Sequence, residues 1–142
     1  VESINPKAYT IVELVDEAYV QTCKRANADE IIVSRELSSM LISQATLNHG
    51  ITKVVSNLLS SQNNGNQLYK IPIPHSKIGL PFIDVFIQMK QVYQSVVLAV
   101  QKGSDGEVIS NPPIDYKLEN NDYLLIIAHE KPELLAKQSK NG

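Results

Sequence analysis

The apolar residues at the start of the chain follow a pattern of strand, helix and strand. Residues 9–15 are rich in the β-branched and aromatic side chains that favour strands. Asp16 is a favoured N-cap residue, so we expect a helix from Asp16 to about Ala26, followed by a short strand at Glu30–Val33. This order is the repeating unit of a parallel α/β sheet. The positions expected on the inward face of the helix are Val20, Cys23 and Ala26.

Two amphipathic helices follow directly. Ser34 is a candidate N-cap for the first helix, and Gly50 ends it. Apolar stripes at helical spacing are usually buried in the core of their own chain. However, two such helices between small lobes carry more apolar surface than one lobe easily covers. Core packing and dimer packing are therefore both open for the main apolar positions of the pair, which are Leu37, Met40, Leu41, Ile51, Val54, Val55 and Leu58.

The second half of the chain predicts a small α+β lobe. Residues 60–66 combine Ser, Gln, Asn and Gly and predict a linker. Residues 67–73 alternate as a strand, and the proline within this strand predicts that it lies at a sheet edge. We expect a helix from Pro81 to about residue 91, then a hairpin around residues 103–106. A last strand is predicted at residues 123–128.

Composition and charge exclude several classes of function. The formal net charge is −2, so the chain has no basic excess with which to bind nucleic acid. A single cysteine, Cys23, forms no internal disulfide and is typical of a reducing compartment such as the cytosol. The longest apolar runs are far shorter than the ~20 residues of a membrane-spanning helix. Because the chain begins with Val1 and carries no signal segment, we interpret it as a soluble piece of a longer protein.

Catalytic and metal-binding motifs are missing from the sequence. The three histidines, His49, His75 and His129, are far apart and none has the spacing of a zinc site. No glycine-rich phosphate loop and no nucleophile elbow occurs. We therefore expect a protein that is not an enzyme.

Two acidic residues near the first strand are candidate ligand-binding residues. Glu13 lies within an otherwise apolar strand, where a carboxylate is unfavourable unless it is solvated, paired or bound to a cation. Asp16 follows the same strand, and ligands of open α/β sheets bind at the carboxyl ends of strands. In the alternative interpretation, Asp16 only caps its helix and Glu13 lies at a sheet edge.

Three segments together resemble a known family. Residues 111–128, NPPIDYKLENNDYLLIIA, are similar to the closing segment of the C-terminal lobe of regulator-of-potassium-conductance domains. Residues 78–85, IGLPFIDV, resemble the segment that opens the helix of that lobe. Residues 28–34, ADEIIVS, together with Glu36, Leu37 and the two amphipathic helices, resemble the end of the family's N-terminal lobe and its crossover helices.

The resemblance implies an α/β region followed by an α+β region. Residues 1–35 would be the end of a truncated Rossmann-like N-terminal lobe, and residues 36–61 a crossover helix pair used for dimerisation. Residues 62–131 would form the C-terminal regulatory lobe, and residues 132–142 a polar tail.

The family also implies partners and ligands. Such domains pair through the crossover helices, form larger rings, and act from the cytoplasmic side of the membrane on a pore-forming domain of the same or a partner chain. A divalent cation or nucleotide is a family ligand, and Glu13 matches an acidic strand-end position that contributes to such sites, including metal sites. This chain departs from the pattern because it lacks the glycine-rich nucleotide loop and has Val15 where some calcium-gated relatives have a second acid.

Several functions remain open at this point. The leading expectation is a ligand-sensing gating domain of a potassium channel. A peripheral subunit of a potassium uptake transporter and a purely structural dimerisation module are the alternatives. A small α/β enzyme would require catalytic groups from outside this chain.

Overall fold

A computed structural model describes residues 8–60 and 65–132 of the chain. The chain divides into two compact units, Val1–Lys53 and Val54–Gly142, and each is described by itself. Much of the expected linker and almost all of the expected polar tail lie outside the described residues. The three domain boundaries expected from the sequence remain predictions.

The first unit contains two parallel strands and two α-helices. Strand β1 pairs with β2 in parallel, with Ile11 opposite Glu30 and Leu14 opposite Val33. Asp29 fixes this register by accepting a hydrogen bond from the Thr10 amide at 2.6 Å. The elements in chain order are β1 (Ile11–Leu14), a short 3-10 turn (Glu17–Tyr19), α1 (Val20–Arg25), β2 (Glu30–Val33) and α2 (Ser34–Leu47).

Local details of the first unit differ from the sequence expectation. The helix expected from Asp16 begins as a 3-10 turn, and its α-helical part is only six residues long. Ala26, expected to face inward, is exposed, whereas Val20 and Cys23 are half-buried as expected. Ser34 does not cap α2, because its hydroxyl donates to the carbonyl of Leu14 at 3.2 Å and so joins the ends of the two strands.

The first unit has no fully buried side chain among its described residues. The inward positions of both strands, such as Val12 and Ile31, are only half-buried. Parallel strands in known folds are covered on both faces. The described part of this unit therefore exposes more apolar surface than an α/β lobe whose sheet is covered on both faces.

The second unit contains an antiparallel sheet packed against one helix. Helix α3 (Ile51–Leu59) spans the division between the units and was expected from its apolar stripe. The sheet order is β3-β6-β4-β5, so β6 is flanked on both sides. The elements after α3 are β3 (Gln67–Pro72), a 3-10 turn (His75–Lys77), α4 (Phe82–Tyr93), β4 (Val96–Lys102), β5 (Val108–Ser110) and β6 (Asp122–Ala128).

The core of the second unit lies between α4 and one face of this sheet. Along β6, alternate residues from Asp122 to Ala128 are buried, as the period of two in a strand requires. Strand β3 is an edge strand, which confirms the interpretation of its proline. Pro72 occupies an outward position on that edge, where no sheet partner needs its missing amide. The largest fully buried side chains include Ile71, Val85, Met89, Leu118, Leu124 and Ile126.

The segment between β5 and β6 covers the start of α4. Helix α4 has no side-chain N-cap, because Pro81 precedes it. Instead, the amides of Phe82 and Ile83 donate to the carbonyls of Tyr116 and Ile114, at 2.7 and 3.1 Å. The first-turn amides that helices leave unpaired are therefore partly satisfied by the protein's own backbone.

Gln94 ends α4 in a conformation that favours glycine. It has φ 51° and ψ 28°, in the left-handed region, and its amide donates to the carbonyl of Met89. Gln94→Gly should raise the free energy of unfolding by about 0.5–1 kcal/mol, because glycine adopts this conformation without a Cβ penalty. Urea denaturation measures the change. Gln91→Gly, within the same helix, should instead lower the free energy of unfolding by about 1 kcal/mol. Changes in the same direction for the two variants would contradict this account.

Candidate functional site

The carboxyl ends of β1 and β2 lie side by side and carry polar residues. Asp16 follows β1, and its Oδ1 accepts a hydrogen bond from the Ala18 amide at 3.1 Å. Its Oδ2 lies 3.4 Å from the Nη1 of Arg35, which follows β2. Both side chains are exposed, so this ion pair contributes little to stability. Asp16 thus caps the turn, as the simpler interpretation expected, and is also paired with a cation.

Glu13 lies on the exposed face of the two-stranded sheet. It pairs in register with Ile32 and is exposed, so solvent accounts for its presence in an apolar strand. Among residues 8–60 and 65–132, no group of three or more His, Cys, Asp or Glu side chains is placed to hold a metal ion. A ligand or metal role for Glu13 and Asp16 remains a prediction from the sequence.

Helix α2 has an exposed apolar edge. Leu37, Met40 and Leu47 have exposed fractions of 60%, 56% and 75%. Together with Gln44 they follow the spacing i, i+3, i+7 and i+10, which is the spacing of residues that line one seam of a coiled coil. Leu41, also expected in an interface, is half-buried within its own chain. The edge is therefore formed by Leu37, Met40, Gln44 and Leu47, and we call it the α2 edge.

The apolar residues of helix α3 are likewise partly half-buried and partly exposed. Ile51, Val55 and Leu58 are half-buried, whereas Val54 and Leu59 have exposed fractions of 56% and 71%. Of the seven residues expected in an interface, three are exposed and four are half-buried. Leu47 and Leu59 are also exposed apolar residues of the two helices, and neither was expected in an interface.

A small open cavity of about 230 Å³ lies at the end of α3 in the second unit. Its walls contain no charged side chain, and they offer few of the convergent polar groups that orient a small-molecule ligand. The cavity is lined by Leu58, Leu59, Ser60, Gln67 and Leu68.

The second unit also holds a cluster of charged and aromatic side chains near the start of β6. The Nζ of Lys102 lies 2.9 Å from the carboxylate of Glu119 and 5.1 Å from the ring centre of Tyr116. The Tyr116 side chain and the Glu119 carboxylate raise the pKa of Lys102 above its usual value. Desolvation raises the pKa of the Tyr116 hydroxyl.

Asp122 is the buried member of this cluster. Its Oδ2 accepts hydrogen bonds from the Tyr116 hydroxyl at 3.1 Å and from the Glu119 amide at 2.9 Å. A buried carboxylate is tolerated when donors satisfy it in this way. The cluster therefore stabilises the turn before β6, and its geometry indicates a structural role.

Comparison with known proteins decides the family. Residues 35–141 match the family model described as Castor and Pollux, part of voltage-gated ion channel. The chain belongs to this family. The match begins at α2 and includes all of the second unit except its last residue.

This Castor and Pollux family member is also similar to individual known proteins. The chain is 28% identical over 134 residues to the calcium-gated potassium channel TvoK of Thermoplasma volcanium, covering 94% of this chain and 37% of that protein. It is 29% identical over 133 residues to the protein YugO of Bacillus subtilis, covering 89% of this chain and 38% of that protein. The chain thus spans less than two fifths of the length of these relatives.

The fold has a counterpart among solved structures. The chain superposes on the structure of the human SLO3 gating ring with a TM-score of 0.74 at 16% sequence identity, covering 91% of this chain and 27% of that chain. The α/β and α+β arrangement expected from the sequence is confirmed. In the part of the chain that the structure describes, no helix is long and apolar enough to cross a membrane.

Proposed function

We propose that this chain is the ligand-sensing gating domain of a potassium channel and acts from the cytoplasmic side of the membrane. The observation that carries the proposal is the match of residues 35–141 to a family described as part of a voltage-gated ion channel. Fold similarity to a gating ring supports a regulatory role, and similarity to the potassium channel TvoK supports the choice of ion. The domain would regulate a pore and would not catalyse a reaction.

In this proposal two copies pair through α2 and α3. The α2 edge and the exposed side of α3 present leucine, methionine and valine to solvent within a single chain. Burying one such side chain completely is worth about 1.5–3 kcal/mol, so several of them can supply the free energy of a dimer. A pair of domains could assemble further into a ring and would connect to a pore-forming domain of the same or a partner chain.

The effector of the proposed domain is a divalent cation or a nucleotide. TvoK is named as calcium-gated, which favours a divalent cation here. Glu13 and Asp16 are the candidate residues of this chain, and they would need ligands from elsewhere in the full-length protein because no sufficient cluster forms among the described residues. Effector binding would change the pore only if its affinity differs between two arrangements of the paired domains.

The proposal is tested by potassium flux through the full-length protein in liposomes, with calcium ions as the probe. We expect calcium to change the flux of the wild-type protein. The double variant Leu37→Glu, Val54→Glu should reduce that response at least roughly tenfold, because it places charges in an apolar interface. A matched control, Ser38→Glu with Thr52→Glu, adds the same charges at exposed polar positions of the same helices and should leave the response intact.

Two outcomes would contradict the proposal. One is a full-length protein that conducts no potassium. The other is a full calcium response in the Leu37→Glu, Val54→Glu protein, which would separate gating from the pairing of α2 and α3.

A further inference from the structure

Lys77 is a lysine buried within the second unit. It ends the 3-10 turn His75–Lys77, and only 8% of its surface is exposed. Its ammonium donates a hydrogen bond to the side-chain oxygen of Gln88 on α4. No carboxylate among the described residues forms an ion pair with it. The hydrogen-bond partner of the Lys77 ammonium is therefore a neutral amide oxygen. Buried charges in proteins usually have an oppositely charged partner or several hydrogen bonds.

Two other charged groups of this unit, Asp122 and Lys102, are better compensated. Asp122 is buried with two hydrogen-bond donors, and Lys102 is paired with a carboxylate. A charge removed from water without such partners is unfavourable. Burial accordingly lowers the pKa of the Lys77 ammonium. The closed position of this turn is thus destabilised by the residue that it buries.

The backbone hydrogen bonds of the segment around Lys77 are largely internal. The Lys77 amide donates to the Pro74 carbonyl at 2.9 Å, and the Ile78 amide donates to the His75 carbonyl at 3.2 Å. Gly79, with φ 80°, follows in a left-handed conformation that a glycine adopts without strain. Hydrogen bonds also join the segment to the rest of the unit. One runs from the Gly79 amide to the Leu118 carbonyl at 2.7 Å, and another is the side-chain bond from Lys77 to Gln88.

We propose that residues 74–79 form a flap that opens locally while the four-stranded sheet stays folded, because opening returns the Lys77 ammonium to water. Segments that move in ligand binding and regulation come from the least stable parts of a fold. The open flap presents a cation that an acidic group can pair with, so an anion that reaches it would favour the open form. This inference does not depend on the proposed channel function.

Amide hydrogen exchange on the intact chain, at increasing low concentrations of urea, tests the flap. The Gly79 amide loses its bond to the Leu118 carbonyl when the flap opens, so it should exchange at least roughly tenfold faster than the amides of Leu124 and Ile126 in β6. Its exchange should also depend little on urea, because local opening exposes little surface. If the Gly79 amide matches the β6 amides in both rate and urea dependence, the segment opens only on global unfolding and the proposal is wrong.

A substitution tests the role of the charge. Lys77→Met keeps the length of the side chain and removes its charge, so it should slow exchange of the Gly79 amide by about tenfold. Lys90→Met, which removes an exposed lysine from α4, is the matched control and should leave the exchange of this amide unchanged. Unchanged flap exchange in Lys77→Met would overturn the assignment of the opening to the buried ammonium.

Discussion

Replacing Gly106 by alanine should lower the free energy of unfolding of the second unit by about 3 kcal/mol, at the upper end of the usual range for overpacking. A Cβ at this position would lie 2.0 Å from the carbonyl oxygen of Lys102 and 3.0 Å from the carbonyl carbon. Both atoms belong to the backbone, so a rotamer change of a neighbouring side chain does not relieve the clash. The measurement is urea denaturation followed by circular dichroism.

The clash falls in the turn that joins β4 to β5. The Lys102 amide donates to the Glu107 carbonyl at 2.9 Å, and the Gln101 side chain donates to the Gly106 carbonyl at 3.2 Å. Moving the backbone at Gly106 therefore breaks bonds that close the hairpin. Because β4 pairs with the central strand β6, the disturbance reaches the core of the unit.

Gly103 in the same turn is the matched control. It has φ 62°, and a Cβ there would meet no atom within 4 Å. Gly103→Ala should therefore cost only the about 1–2 kcal/mol of a left-handed non-glycine residue. A Gly106→Ala protein that is as stable as Gly103→Ala would show that the hairpin adapts in a way that this account does not include.

The sequence was informative where one local signal decided the structure. The strand at residues 123–128 is a continuous apolar run and lies between two other strands, as a strand rich in apolar residues should. The apolar stripe after Gly50 predicted the helix that the structure shows as α3, because an amphipathic helix of this length has one dominant apolar face. The proline of β3 identified an edge strand because proline lacks the amide that an interior strand needs.

Prediction failed where contacts with residues distant in the sequence decided the structure. Ser34 is an acceptable N-cap by residue type, but its hydroxyl instead donates to Leu14, which is 20 positions away in the sequence. The burial of Lys77 also has no local signal, because a lysine in a polar turn is ordinarily exposed. Both outcomes depend on which segment packs nearby, and this information is not contained in a short window of sequence.

The sequence identified the helices of the candidate interface, and the interface itself remains a prediction. Helical periodicity identified α2 and α3 as apolar, but periodicity alone does not say which side of a helix its own chain covers. The structure shows that Leu41 and Val55 are half-buried within the chain, whereas Leu37 and Val54 are exposed. The distinction changes the choice of test, since a charge at Leu41 or Val55 would damage the fold as well as an interface.

The central claim is that two copies pair through α2 and α3. Disrupting this pairing should have the second large effect, a change in the number of chains per particle. Leu37 and Val54 are 60% and 56% exposed in the single chain, so glutamate at these positions leaves the fold of the monomer intact. In a dimer the same carboxylates would be removed from water without a partner, which is strongly unfavourable. The double variant should therefore convert a dimer into a folded monomer.

Light scattering of the chain in solution tests this claim most directly. We expect the wild-type chain and the Ser38→Glu, Thr52→Glu control to have twice the chain mass of 15.7 kDa, and the Leu37→Glu, Val54→Glu variant to have the single chain mass with an unchanged circular dichroism spectrum. A wild-type chain that remains a monomer at high concentration, or a double variant that remains a dimer, would contradict the pairing of copies through these helices.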